Sequence, residues 1–130
     1  MKLQREWLKD DFLSENAVNA AKNLGEKIAP ENKDDKRAMK TSQLRRFYGA
    51  LKKIEAKYAW DNGQFNALEV LFLRPRIAYA VGRAGEGNRI RAFSDAIKDC
   101  LAPNLNWKEF RNLCLWLEAV VAYHKLNKGE

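Results

Sequence analysis

The feature that most constrains this chain is an apolar stripe that returns every three or four residues. Leu44, Phe47, Leu51, Ile54 and Tyr58 keep helical spacing over four turns, which defines one buried face of an amphipathic helix. The same period governs Ala17, Val18, Ala21, Leu24 and Ile28, then Ile90, Phe93, Ile97 and Leu101, then Trp107, Phe110, Leu113, Cys114, Leu117, Val120 and Val121. No segment alternates apolar and polar residues over a strand length. Punctuation falls at Pro30, Gly63, Pro75, Gly85, Gly87 and Pro103. The expected fold is all-α: a single-domain bundle of about five helices spanning residues 1–130. At 130 residues with four Trp, the chain has the length of one domain and the bulk for one core.

Local chemistry suggests the boundaries. Ser14 is a candidate N-cap ahead of Ala17, and Trp7, Leu8 and Phe12 read as an earlier short turn. Pro30 ends that helix, and residues 31–39 read as a polar, exposed linker. Thr41 or Ser42 is expected to cap the next helix, and Asn104 or Asn106 the last. A third segment starts after the Asp61-Asn62-Gly63 turn. Within it Pro75 either kinks one long helix or starts a second, because an interior Pro costs ~3 kcal/mol while a first-turn Pro is tolerated. Around Leu115, Trp116 and Ala119 the last helix is apolar on nearly every side, which suits either the bundle centre, the favoured reading, or burial against another subunit.

The net charge of +7 is unevenly placed. Residues 1–30 and 92–130 are each neutral. Residues 36–57 hold eight basic residues against Glu55, and residues 74–91 hold five Arg against Glu86. Such blocks create a local positive field that attracts polyanions. On the second long helix Arg45 and Lys52 flank one side of the apolar stripe, and Arg46, Lys53 and Lys57 the other. Long cationic side chains there lay their stems over the core and hold their heads in an adjacent groove.

Catalytic groups are sparse. His124 is the only histidine, and its place near the end of the last helix suits packing or capping. Cys100 and Cys114 lack the short spacing of a redox pair or a four-ligand zinc site and read as core residues. Asp10-Asp11 and Asp34-Asp35 are sequence neighbours, which diverge on a helix. Asp11 and Glu15 share a face but lack a third ligand. The Gly85-Glu86-Gly87 loop lacks the Lys and Ser/Thr of a phosphate-binding loop. No cofactor, no metal and no enzymatic activity are expected. The longest apolar run, Leu113 to Tyr123, is broken by Glu118 and far short of a bilayer. With no apolar core in its first six residues, the chain is expected in the cytoplasm, away from membranes.

Three stretches together resemble one family. They are Lys40-Thr41-Ser42-Gln43-Leu44-Arg45-Arg46-Phe47-Tyr48, Leu73-Arg74-Pro75-Arg76-Ile77-Ala78-Tyr79-Ala80-Val81-Gly82-Arg83, and Leu117-Glu118-Ala119-Val120-Val121-Ala122-Tyr123-His124-Lys125. In order and spacing they look like the signature stretches of the small helical subunit of type III-A CRISPR interference (Csm) complexes. Pro75 departs from that pattern, and the tail Asn127-Lys128-Gly129-Glu130 matches the family's Gly-rich ending only loosely. The resemblance implies a non-catalytic helical subunit that stacks in several copies along a filament of larger subunits holding the CRISPR guide RNA. Its basic face would line the groove that holds the target RNA, and neighbouring subunits would do the cutting.

Charge supplies the mechanism. Lys and Arg contacts to phosphates give affinity without base specificity, and sequence recognition is delegated to base pairing. The candidate RNA-binding residues are Lys40, Arg45, Arg46, Lys52, Lys53, Arg74, Arg76, Arg83 and Lys125. Neutralising ~5 phosphates of single-stranded RNA corresponds to a log–log salt slope near −3.5. Arg46 and Arg83 have an alternative role as ion-pair partners of Glu55 or Glu69. Tyr48 and Tyr79 could stack on a base, but beside Phe47 and Ile77 they read as core. A small helical DNA-binding regulator is the competing class. It needs a helix-turn-helix, which one long helix after a loose linker does not supply.

Overall fold

The computed structural model describes residues 2–127, so the last three residues of the tail lie outside it. Its helices are α1 (Arg5–Leu8), α2 (Glu15–Ile28), α3 (Thr41–Tyr58), α4 (Leu68–Leu71), α5 (Leu73–Ala84), α6 (Ile90–Ile97) and α7 (Trp107–Leu126). Single 3₁₀ turns cover Asn62–Gln64 and Lys98–Cys100. The described residues contain no strand, and five of the helices exceed one turn.

Helices begin where an orphan N–H finds an acceptor. Ser14 Oγ accepts from the Ala17 N–H at 3.1 Å, as expected. At α7, Asn106 Oδ1 accepts from the Glu109 N–H (2.8 Å) and the Glu109 carboxylate accepts from the Asn106 N–H (3.0 Å), a reciprocal capping box. Asn104, the other candidate cap, instead accepts from Arg5 at 2.7 Å. Neither Thr41 nor Ser42 caps α3. The N-cap is Lys40, whose N–H donates to the side chain of Gln43 at 2.8 Å, while Thr41 is buried as the first helical residue. Pro75 is the third residue of α5, in the first turn after the break at Phe72. There it forfeits only an N–H that has no intrahelical acceptor.

The core assembles around α7, which packs against α1, α2 and α3, while α6 packs on α2 and α5. Trp116, Phe93 and Phe110 are its largest fully buried side chains. Most polar atoms drawn into this core find partners, the exceptions being Thr41 Oγ1, Arg89 Nε and His124 Nδ1. Trp116 Nε1 donates to the Ala17 carbonyl at 2.8 Å, and Asn112 Nδ2 donates to the carbonyls of Leu8 (2.9 Å) and Asp10 (2.7 Å). These bonds tie the first two helices to α7 and leave few buried groups unpaired.

Residues 30–40 join α2 to α3 without helix, polar outside and fastened inside. Arg89 forms an ion pair with Asp35, donates to the Ala29 carbonyl at 3.2 Å, and its N–H donates to the Arg37 carbonyl at 2.7 Å. Met39 is buried, and its N–H donates to the Ile28 carbonyl at 2.9 Å. Its own carbonyl accepts from His124 Nε2 at 2.6 Å, which fixes the neutral ring with its proton on that nitrogen. His124 is fully buried, with Nδ1 unpartnered.

Two predictions come from this packing. A Cβ on Gly25 would lie 2.9 Å from both the His124 backbone N and Tyr123 Cβ, and 3.0 Å from the Val120 carbonyl oxygen. Overpacking costs ~1–3 kcal/mol and the Ala helix propensity returns at most ~1 kcal/mol. Gly25→Ala therefore lowers stability, which urea unfolding measures as a lower midpoint. Burial holds the His124 pKa below its ordinary 6.5, against the opposing pull of the Met39 carbonyl. The folded state refuses a proton that the unfolded chain accepts. Stability is thus complete above pH 6.5 and falls as the pH drops below it. Thermal melts between pH 7.5 and 5 show this loss, and His124→Gln flattens it.

Candidate functional site

One arginine of the first positive block and two of the second meet at one concavity. A cleft of about 750 Å³ opens between α3, α5 and α6. Its floor is Met39, Phe47, Leu73, Ile77, Ile90 and Phe93, with Phe47 and Phe93 meeting edge to face at 5.4 Å. Its rim carries Arg46 from α3 and Arg76 and Arg83 from α5. Helical geometry explains the arrangement. Ile77 and Val81 bury one face of α5, while Arg76 and Arg83, two turns apart, share another. Arg46 flanks the buried Leu44–Leu51 face of α3 and so overlooks the same floor.

These three guanidiniums form no ion pair among the described residues, and no Asp or Glu lines the cleft. The carboxylates expected as their partners are engaged elsewhere. Glu55 pairs with Lys52 and, at 3.6 Å, with Arg111. Glu69 accepts from the Tyr58 hydroxyl and from Lys57 at 3.1 Å; the hydroxyl first and the ammonium second hold its carboxyl below the usual range. Unpaired cations around a concave, low-dielectric surface focus a positive field into it.

The remaining candidates lie outside the cleft. Lys52 is on the opposite flank of α3, paired with Glu55 and 6.0 Å from the Tyr48 ring centroid. Arg74 Nε donates to the Lys98 carbonyl at 3.0 Å, so it ties α5 to the turn after α6. Lys40, Arg45, Lys53 and Lys125 are exposed, and none lines the cleft. Lys53, two turns from Arg46, shares its side of α3, while Arg45 shares the side of Lys52.

Tyr79 corrects the sequence expectation. It is not core but 67% exposed at the cleft edge, with the Arg83 guanidinium carbon 5.8 Å from its ring centroid. The signal was present: Tyr79 lies midway between Ile77 and Val81, so it points away from the face they bury. Tyr48 is half-buried.

Acid–base and nucleophilic groups do not gather here. Burial pushes the Cys100 thiol up to about 11 and the Cys114 thiol up to about 12, which suppresses the reactive thiolate. Asp11 is bound to Lys108 at 2.5 Å. Among the described residues no group of three His, Cys, Asp or Glu could hold a metal ion, and no helix is long and apolar enough to cross a membrane. Neither thiol of the native protein reacts with Ellman's reagent at pH 8 over minutes, whereas both react in urea; absorbance at 412 nm reads the difference.

Fold and site together define a small all-helical protein whose distinguishing surface is an arginine-rimmed, apolar-floored cleft. The family model described as Csm2 Type III-A matches residues 15–130. The chain belongs to that family, and it is a small subunit of a type III-A CRISPR effector complex. No curated protein and no solved structure matches the chain.

Proposed function

We propose that this subunit is non-catalytic and contacts the sugar–phosphate backbone of target RNA, or of the guide–target duplex, through the Arg46–Arg76–Arg83 rim. It acts in the cytoplasm, stacked in several copies beside the other subunits of the complex. The observation that carries the reading is the convergence of three unpaired guanidiniums from two helices on one cleft. Arginine cations without internal partners are free to displace counterions from a nucleic-acid backbone. Their attraction is indifferent to base identity, which suits a protein whose sequence reading is done by pairing with the guide. Lys40, Arg45, Lys53 and Lys125 extend the basic surface, and Lys52 and Arg74, already engaged, contribute less.

The test is fluorescence anisotropy of the full chain with a single-stranded RNA at several salt concentrations. Replacing Arg46 and Arg83 together by Gln weakens binding and makes the log–log salt slope shallower by about 1.4, two phosphate contacts at about 0.7 each. The melting temperature stays unchanged, because both side chains are exposed and unpaired. Replacing Lys52 and Arg74 instead has the smaller effect on binding. If the Arg46/Arg83 double variant binds as tightly as the parent, the cleft is not the RNA contact. Tighter binding to duplex DNA than to RNA would favour a DNA-binding regulator instead.

A further inference from the structure

We propose that the cleft holds an unpaired nucleobase, in addition to the phosphate contacts of its rim; this rests on the reading that the chain contacts RNA. A backbone alone requires only cations on an accessible surface. The cleft provides more than that. Its floor of Phe47, Phe93 and Ile77 offers water few polar partners, so a flat apolar group displaces that water favourably. Its volume of about 750 Å³ lies in the range of sites that enclose small molecules.

Tyr79 makes the case specific. A phenol ring two-thirds exposed at the edge, with a guanidinium over its face, presents the two surfaces on which unstacked RNA bases rest. Arg76 and Arg83 are separated by about 10 Å along α5 at 1.5 Å per residue. A strand following that helix keeps phosphates within reach of both while one base turns inward. A polymer that repeats an anionic group beside a planar ring matches rim and floor together, whereas an acidic peptide matches the rim alone. Stacking on such a floor is sequence-tolerant, because every base has a π-face.

The experiment compares, by anisotropy with the full chain, a single-stranded RNA and an oligomer of the same length whose sugars carry no bases. The RNA binds at least about fivefold tighter, the low end of what stacking one base contributes. Tyr79→Ala, at an exposed position, and Ala80→Trp, which fills the cleft, each abolish that difference, read as the ratio of the two affinities within each variant. If Ala80→Trp disrupts folding, Tyr79→Ala still decides. Equal affinity for the two oligomers in the parent protein overturns the inference while the backbone reading stands; failure to bind either overturns both. A polyglutamate peptide of equal charge that binds as tightly as the RNA, and is lost in the Tyr79→Ala protein, overturns it in favour of an acidic partner chain.

Discussion

The architecture depends on the distance at which α2 can cross α7. At Gly25 the two backbones are too close to admit a methyl group. That approach lets Trp116, the largest buried side chain, reach the carbonyl of Ala17. With no Cβ on the α2 side, the Gly25 backbone comes into dispersion contact with the backbone and the Tyr123 Cβ of α7. The crossing also puts an indole N–H within hydrogen-bond range of the Ala17 carbonyl deep in the core. With α7 fixed against α2, its remaining faces accept α1 and α3. An interior this tightly filled tolerates little change in volume, so the position of α3 follows from the crossing one layer away.

The cleft is the outer consequence of that order. α3 turns Leu44 and Leu51 inward, and the cations beside that stripe must project past its edges. On one flank Lys52 pairs with Glu55, which also meets Arg111 from α7. On the other flank the nearest long element is α5, whose own Arg76 and Arg83 add charge of the same sign. Like charges around a shared concavity raise its potential, which leaves the site electrostatically unsatisfied until an anion arrives. Several of the molecule's carboxylates are employed in ties between elements, as in Asp35 with Arg89, Asp11 with Lys108 and Glu69 with Lys57.

Much of this was readable from residue order, and the exceptions have physical causes. The helical period identified the fold class and favoured α7 as the central helix, and residue chemistry offered Ser14 as one cap and Asn106 as one of two candidates for another, because each is a local pattern or a plain excess of apolar residues. Charge clustering pointed to Arg46, Arg76 and Arg83, which the structure brings to one cleft, since neighbouring residues of one sign stay near one another on any helix. What it could not resolve was which cations stay unpaired. Lys52 meets Glu55 one turn away, but Arg74 meets a carbonyl 24 residues distant, a contact created only by the docking of α5 on α6. The cap of α3 was misread because Thr41 has the right chemistry but is needed inside, and Gln43 reaches back to Lys40 instead. Tyr79 was misread for a simpler reason: its sequence neighbours are apolar, but its angular position on α5 is not theirs.

Met39 belongs to two places at once. Its side chain forms part of the cleft floor, while its carbonyl is held by the imidazole of α7 on the interior side. One wall of the concavity is thus suspended from the deepest helix of the protein through a single polar tether. Substitutions far from any bound strand, along the buried side of that helix, would consequently be felt as altered grip at the surface, and the quality of the hold is inherited from the interior rather than set at the rim.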